Sequence, residues 1–181
     1  MTREQAKSKR SLFILIALFA LPVVAAKLIL TFNWYQGGVT NQGDLVEPAV
    51  NYTTLAMDNP NPQEWQLIYL LPTECAVECR SRLYVLNQSH IALGKDQYRV
   101  HPIIMLSDDS DISALDHYAF KTFPSSAGLN DFMRKQQIVV VDPLGNLVMS
   151  YQQVMGEKAQ LKQGKALVVD VRKLLKLSRI G

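Results

Sequence analysis

The chain has 181 residues, 48% hydrophobic and 19% charged, with 19 basic and 16 acidic side chains. That is enough for one ordinary domain and a targeting segment. Five of the basic residues and one of the acidic precede Asn33, so the rest carries 14 basic against 15 acidic, a net of −1, and nothing in that balance suggests nucleic acid.

The first ten residues hold Arg3, Lys7, Lys9 and Arg10 against Glu4. Ser11 to Phe32 is apolar apart from Lys27 and small hydroxyl residues at its ends, a run of 22 residues. A helix needs roughly 20 such residues to cross a bilayer. Trp34 and Tyr35 follow, and aromatic side chains favour the membrane interface. The sequence predicts a cytoplasmic segment at 1–10 and a transmembrane anchor at 11–32. No basic residue lies between Asn33 and Cys79, so the positive-inside rule exports the remainder. A cleaved signal peptide ending at Val24-Ala25-Ala26 is the alternative. The apolar run continues past that point through Leu28-Ile29-Leu30, which favours a retained anchor.

Residues 33–64 are turn-rich, with Gly37-Gly38, Asn41-Gln42-Gly43 and Asp58-Asn59-Pro60-Asn61-Pro62, and read as an exported tether with one short hairpin at most. Over 65–181 the segments alternate. Trp65–Leu71 is a buried strand, and Ala76 to about Leu93 a helix stopped by Gly94. Val100–Leu106 is a second buried strand. Ser107 to Asp111 is a loop of capping residues, and Ile112–Phe120 is expected to be helical. Ile138–Val141 is a strand, Asp142-Pro143-Leu144-Gly145-Asn146 a turn, and Leu147–Tyr151 the returning strand. Leu167–Leu177 closes as an amphipathic helix with Val168, Val171, Leu174 and Leu175 inward. Strand, helix, strand implies a parallel pair with a right-handed crossover, and the hairpin adds antiparallel strands. The fold class is α/β, a thioredoxin-like mixed sheet with flanking helices. Ligands in such sheets sit beyond the C-terminal strand ends.

The two cysteines, Cys75 and Cys79, are the only ones in the chain. They follow the first strand directly, where helix N-terminal N–H groups favour a thiolate. Three readings stay open: a redox couple, a two-sulfur site for a soft ion such as Cu(I), and a structural bridge. The bridge ranks third, because a loop of three intervening residues stabilises little. At i and i+4 on successive helical turns, their Cβ atoms are expected about 5–6 Å apart, beyond the roughly 3.5–4.5 Å of a disulfide. Oxidation would then distort the first turn and leave an easily reduced bond. Cys75 is expected to be the better thiolate, with Glu74 and Glu78 opposing it. No Ser-His-Asp pattern, phosphate-binding glycine loop or metal-spaced histidine pair accompanies the cysteines. Asp108, Asp109 and Asp111 are read as loop and capping residues rather than a hard-cation site.

The chain resembles the Sco/SenC family of copper-binding cytochrome c oxidase assembly proteins, which are membrane-tethered, exported thioredoxin-fold domains. The likeness covers Asn41-Gln42-Gly43-Asp44-Leu45, the apolar strand before the four-spaced cysteines, Leu106 to Asp111 with Leu115 to Phe120, and Val141-Asp142-Pro143-Leu144-Gly145. In that family a histidine ahead of the last hairpin completes a copper site of two sulfurs and one nitrogen. Here the corresponding stretch, Asp131 to Gln137, has no histidine, and no proline stands where ordinary thioredoxins place a cis one. His90 lies eleven residues past Cys79, roughly 16 Å along a helix. His101 begins the second strand at the far end of the sheet. His117 and Met133 could in principle supply a third ligand, but an ordinary surface histidine and a packing methionine are the readings preferred for them.

The resemblance implies a single-pass protein of the bacterial inner membrane, N-terminus cytoplasmic and C-terminal domain periplasmic. It implies an accessory role in assembly of a respiratory cytochrome c oxidase, acting on the copper centre by copper handling or thiol reduction. The cofactor would be copper, held by Cys75 and Cys79 with a third ligand unknown. The partner would be an oxidase subunit or one of its assembly factors. A general exported thiol-disulfide oxidoreductase, with Cys75 and Cys79 as the redox pair, and a non-catalytic thioredoxin-like binding module are the other readings.

Overall fold

Trp65–Leu71 is the central strand, β2, of a computed structural model that describes residues 3–31 and 41–178. The chain forms two units, 1–40 and 41–181. In the first, α1 runs over Arg3–Thr31 with Pro22 inside it. Its side chains are described from Phe13 to Ile29 and at Thr31, and most are exposed. Among the described residues no helix is long and apolar enough to cross a membrane. The interface aromatics Trp34 and Tyr35 lie outside the described residues.

The second unit is a six-stranded sheet in the order β1-β6-β5-β2-β3-β4. The strands are β1 Asp44–Asn51, β2 Trp65–Leu71, β3 Val100–Leu106, β4 Lys121–Pro124, β5 Ile138–Val141 and β6 Asn146–Tyr151. β2 pairs in parallel with β3, and β3 with β4. β5 runs antiparallel to β2, and β6 to β5. The helices of this unit are α2 Val77–Ala92, α3 Ala127–Phe132 and α4 Glu157–Leu177. The βαβ unit and the hairpin are therefore as expected. The hairpin turn is held by Asp142, whose Oδ1 accepts from the amides of Leu144 and Asn146 at 2.9 and 2.8 Å. Gly145 supplies the positive φ of +89° that the turn needs.

Alternation along the strands divides the core in two. Trp65, Leu67, Tyr69 and Leu71 of β2 join α2 and α4 in one cluster, which includes both cysteines. Ile68 and Leu70 face the other way, toward Leu129 and Met133 at α3.

Three expectations change. The domain begins at Asn41 rather than Trp65, because residues 44–51 are not tether but the edge strand β1, antiparallel to β6. Their hydrogen bonds come from the backbone, so their side chains stay largely exposed, and an edge position with a bulge tolerates Pro48. Asp170, buried on α4, fixes this start: its Oδ2 accepts from the amides of Gln42 and Gly43 at 2.7 and 2.9 Å and from the Tyr151 hydroxyl at 2.8 Å. A Cβ on Gly43 would come within 2.7 Å of Met149 and Tyr151, so only glycine fits this approach. The expected helix over Ile112–Phe120 is a single 3-10 turn, Ile112–Leu115, followed by the short edge strand β4. Finally, α4 starts ten residues before Leu167, at Glu157.

Candidate redox site

The site grows out of the C-terminal end of β2. Past Leu71 the chain can no longer pair within β2, and the loop after β3 takes over its polar groups. The Ser110 hydroxyl donates to the Leu71 carbonyl at 2.7 Å. The Asp111 amide donates to the Pro72 carbonyl at 2.9 Å. The Cys75 amide in turn donates to Asp111 Oδ2 at 3.2 Å, and the Ser113 hydroxyl to Asp111 Oδ1 at 2.6 Å. The Ser113 hydroxyl, and then the Cys75 amide, hold the Asp111 carboxyl below its ordinary range. Arg80 Nε closes the segment from the other side onto the Cys75 carbonyl at 3.2 Å.

Cys75 and Cys79 form a disulfide with a Cα separation of 5.1 Å, inside the usual range for such bonds. They do not lie on successive turns of one helix. Ala76 is extended, with ψ −172°, and α2 begins only at Val77. Cys75 thus stands one residue ahead of the helix cap, and Cys79 is the third helical residue. The bond needs no unwinding of a helical turn, which removes the geometric reason for expecting it to be easily reduced. Both cysteines are buried, 3% and 6% exposed, while Val77 between them is 79% exposed.

Beneath the bridge lies polar chemistry that the sequence did not announce. Arg82 is buried one turn beyond Cys79, 6.0 Å from the centroid of the Tyr69 ring. It donates to Gln163 Oε1 at 3.0 Å and to the Tyr151 carbonyl at 2.9 Å. Burial lowers its pKa, and burial pushes the Tyr69 phenol up to about 12. The Tyr69 hydroxyl donates to Gln136 Oε1 at 2.9 Å. This is legible from register alone: Tyr69 sits opposite Ile138, so the residues just before β5 reach the end of β2. Glu78, expected to oppose a thiolate, accepts from Gln160 Nε2 at 2.6 Å, whereas Glu74 is exposed.

The third-ligand candidates are scattered. His90 Nε2 lies 3.2 Å from the Gln97 carbonyl. His101, opposite Gln66 near the start of β2, lies 2.7 Å from Glu64 at the far end of the sheet. His117 is an exposed turn residue. Met133 is fully buried in the cluster on the other face of the sheet, so packing, not ligation, accounts for it. Among the described residues no group of three or more His, Cys, Asp or Glu side chains could hold a metal ion. Two sulfurs without a third donor do not fit a resident three-ligand copper centre. Asp109 accepts from the Ser107 hydroxyl at 3.1 Å, so it and Asp111 act as loop ties.

No curated relative matches the sequence. Among solved structures, the chain is similar to apo Sco1 from Thermus thermophilus, with a TM-score of 0.52 and 16% identity over 76% of this chain and 99% of that one. Copper-bound ScoI from Bradyrhizobium japonicum gives 0.41 and 16%, over 58% and 85%. The thioredoxin domain of a thiol-disulfide oxidoreductase from Bacteroides vulgatus gives 0.43 and 14%, over 70% and 96%. At these identities the first of the three speaks for the fold. A family model described as the transmembrane-like, thioredoxin-like, C-terminal domain matches residues 65–178, which takes in β2 to α4 and the disulfide; the chain belongs to that family.

Proposed function

We propose that the protein is a membrane-anchored thiol-disulfide factor that serves assembly of a respiratory cytochrome c oxidase by keeping the cysteines of its copper centre reduced. The observation that carries the redox part is the Cys75–Cys79 disulfide at the junction of β2 and α2 in a thioredoxin-like fold. The oxidase as target comes from the likeness to Sco proteins. In the reduced protein one of the two cysteines, as thiolate, attacks a disulfide sulfur of the partner and forms a mixed disulfide. The other cysteine displaces the partner thiol. The partner gains two electrons as a dithiol, and Cys75–Cys79 is left oxidised until an exported dithiol reductant returns them. In this reading the anchor is the apolar run Ser11–Phe32, with the N-terminus cytoplasmic and the domain from Asn41 periplasmic. Four basic residues before Ser11 and none from Asn33 to Cys79 support that orientation.

Equilibration of the full chain against glutathione buffers tests the redox reading. A reduction potential above about −300 mV is expected, since structural disulfides typically lie below it. A lower value would return the bridge to a structural role. A reporter fused after the C-terminus should be active only in the exported compartment.

Copper delivery is the second reading, favoured by the pair of soft ligands alone. It predicts weak Cu(I) binding by the reduced full chain that alkylation or Cys75→Ser abolishes. Of the positions ahead of β5, Gln136 reaches the cysteine face through Tyr69, whereas Met133 is buried beyond the sheet and Arg134 pairs with Asp131 at the surface. Gln136→His should therefore tighten Cu(I) binding. No tightening would count against copper as the cargo.

A further inference from the structure

We propose that the outer face formed by α2 and α4 is a docking surface for an anionic lipid bilayer. The inference goes beyond the redox reading and does not require α1 to insert.

Lys158, Lys162, Lys165, Val169, Arg172 and Lys176 are spaced by four and three residues in turn, and all are exposed. That period keeps them on one side of α4. At 1.5 Å per residue the stripe is about 27 Å long. Acidic side chains do not interrupt it. Asp170 is buried in the clasp with Gln42 and Gly43, and Glu78 of α2 is tied to Gln160. The exposed acid on the two helices is Glu157, at the very start of α4.

The two helices make one layer. A Cβ on Gly164 would lie 2.7 Å from Val85 and 3.1 Å from Ser89, so glycine is what lets α4 close on α2. Arg172 fixes the far end by donating to the Ala92 carbonyl at 2.6 Å. Between them lies a shallow apolar groove of about 350 Å³, lined in part by Val85, Ala92, Leu161 and Val168. Leu161, Val169 and Leu177 protrude from α4, and Tyr84 and Ile91 from α2.

Charge selects an anionic occupant, and composition selects lipid over protein. Lysine is depleted in protein–protein interfaces, yet four of the five cations here are lysines. Long basic side chains beside protruding aliphatic and tyrosine side chains are the composition of a surface lying at a headgroup layer, where apolar groups reach the acyl boundary. Each cation near such a surface contributes roughly fivefold in binding and is screened by salt.

The test presents the full chain to vesicles of phosphatidylcholine, alone or mixed with phosphatidylglycerol, and reads the acetylation rate of each lysine by mass spectrometry. Lys158, Lys162, Lys165 and Lys176 should be slowed about threefold or more by the anionic vesicles at low salt, and released at high salt. Lys121 and Lys135, exposed elsewhere on the domain, should not change. Combining Lys158→Gln with Lys176→Gln leaves Lys162 and Lys165 as reporters, and two lost cations should weaken binding more than tenfold. Equal slowing at Lys121 and Lys135, equal slowing on neutral vesicles, or no slowing at all would overturn the proposal; the last would leave the stripe to an acidic protein. Retention on neutral vesicles at high salt reads the α1 anchor separately.

Discussion

On the α3 face of the sheet, the buried amide of Gln66 uses both its donors and its carbonyl. Its Oε1 accepts from the Tyr52 hydroxyl at 2.7 Å, and its Nε2 donates to Asn59 Oδ1 at 2.7 Å and the Asn61 carbonyl at 3.0 Å. The α2–α4 face holds charges instead. Arg82 and Asp170 are each about 1% exposed, and Arg82 Nε and Asp170 Oδ1 have no partner among the described residues. A satisfied amide closes a core at modest cost. A buried charge with spare capacity is expensive, and it persists where position matters more than stability. The cysteines lie on that second face. The difference is a division in polar chemistry: the α3 face buries neutral amides, while the α2–α4 face, which holds the larger apolar cluster, buries charges beside the cysteines.

The largest test of that division is Asp170→Ala. It strands two backbone amides and a tyrosine hydroxyl, and should cost about 3 kcal/mol or more. Urea unfolding of the full chain reads it; a loss under about 1 kcal/mol would mean that β1 and α4 are held by other contacts. Next is Leu129→Ala on the α3 face, fully buried, expected to cost about 3 kcal/mol. It should leave the Cys75–Cys79 redox equilibrium unchanged. A shift there would show that the faces are coupled and sink the comparison. Asp111→Asn should behave in the opposite way, changing the redox equilibrium and speeding amide exchange at Cys75, with little effect on unfolding. Because the folded Asp111 carboxyl is held below 3.8, its contribution is present above that value and is lost as pH falls through the lower folded pKa. The smallest effect belongs to His101, whose pKa is lowered chiefly by burial and partly restored by Glu64. Its neutral form suits the fold, so the stability is complete above the ordinary value of 6.5 and falls as pH drops through the depressed one. His101→Gln should flatten the stability profile just below that value. An unchanged slope would assign it to other groups.

The buried centre of this fold was legible because β5 is wholly apolar and β2 and β3 are apolar apart from Gln66 and His101. Its edges were not. β1 carries Asp44, Glu47 and Pro48, and β4 is only Lys121–Pro124; both take their place from backbone pairing, which leaves little mark on residue type. The first turns of α4 hide for a related reason, since the early stripe is Lys158, Lys162 and Lys165 with little apolar pattern. In the site, the cysteine pair was readable, and so was the start of α2, read at Ala76 and found at Val77. What was missed is that the extended Ala76 takes Cys75 off the helical turn of Cys79; Ala76 caps without a side-chain hydrogen bond, so no residue type marks that break. The Asp111 tie spans 36 residues and the Asp170 clasp 127 or 128. Sequence showed those acids only as loop and helix residues.

The Asp170 clasp also has a mechanical meaning. Any tension entering the domain at Asn41 meets the bonds from Gln42 and Gly43 to α4 before it reaches the β1–β6 ladder. The load then spreads into the longest helix of the domain, so β1 is shielded from being peeled away strand-first. The pull would have to break charge-assisted hydrogen bonds on one carboxylate before it could open the edge of the sheet.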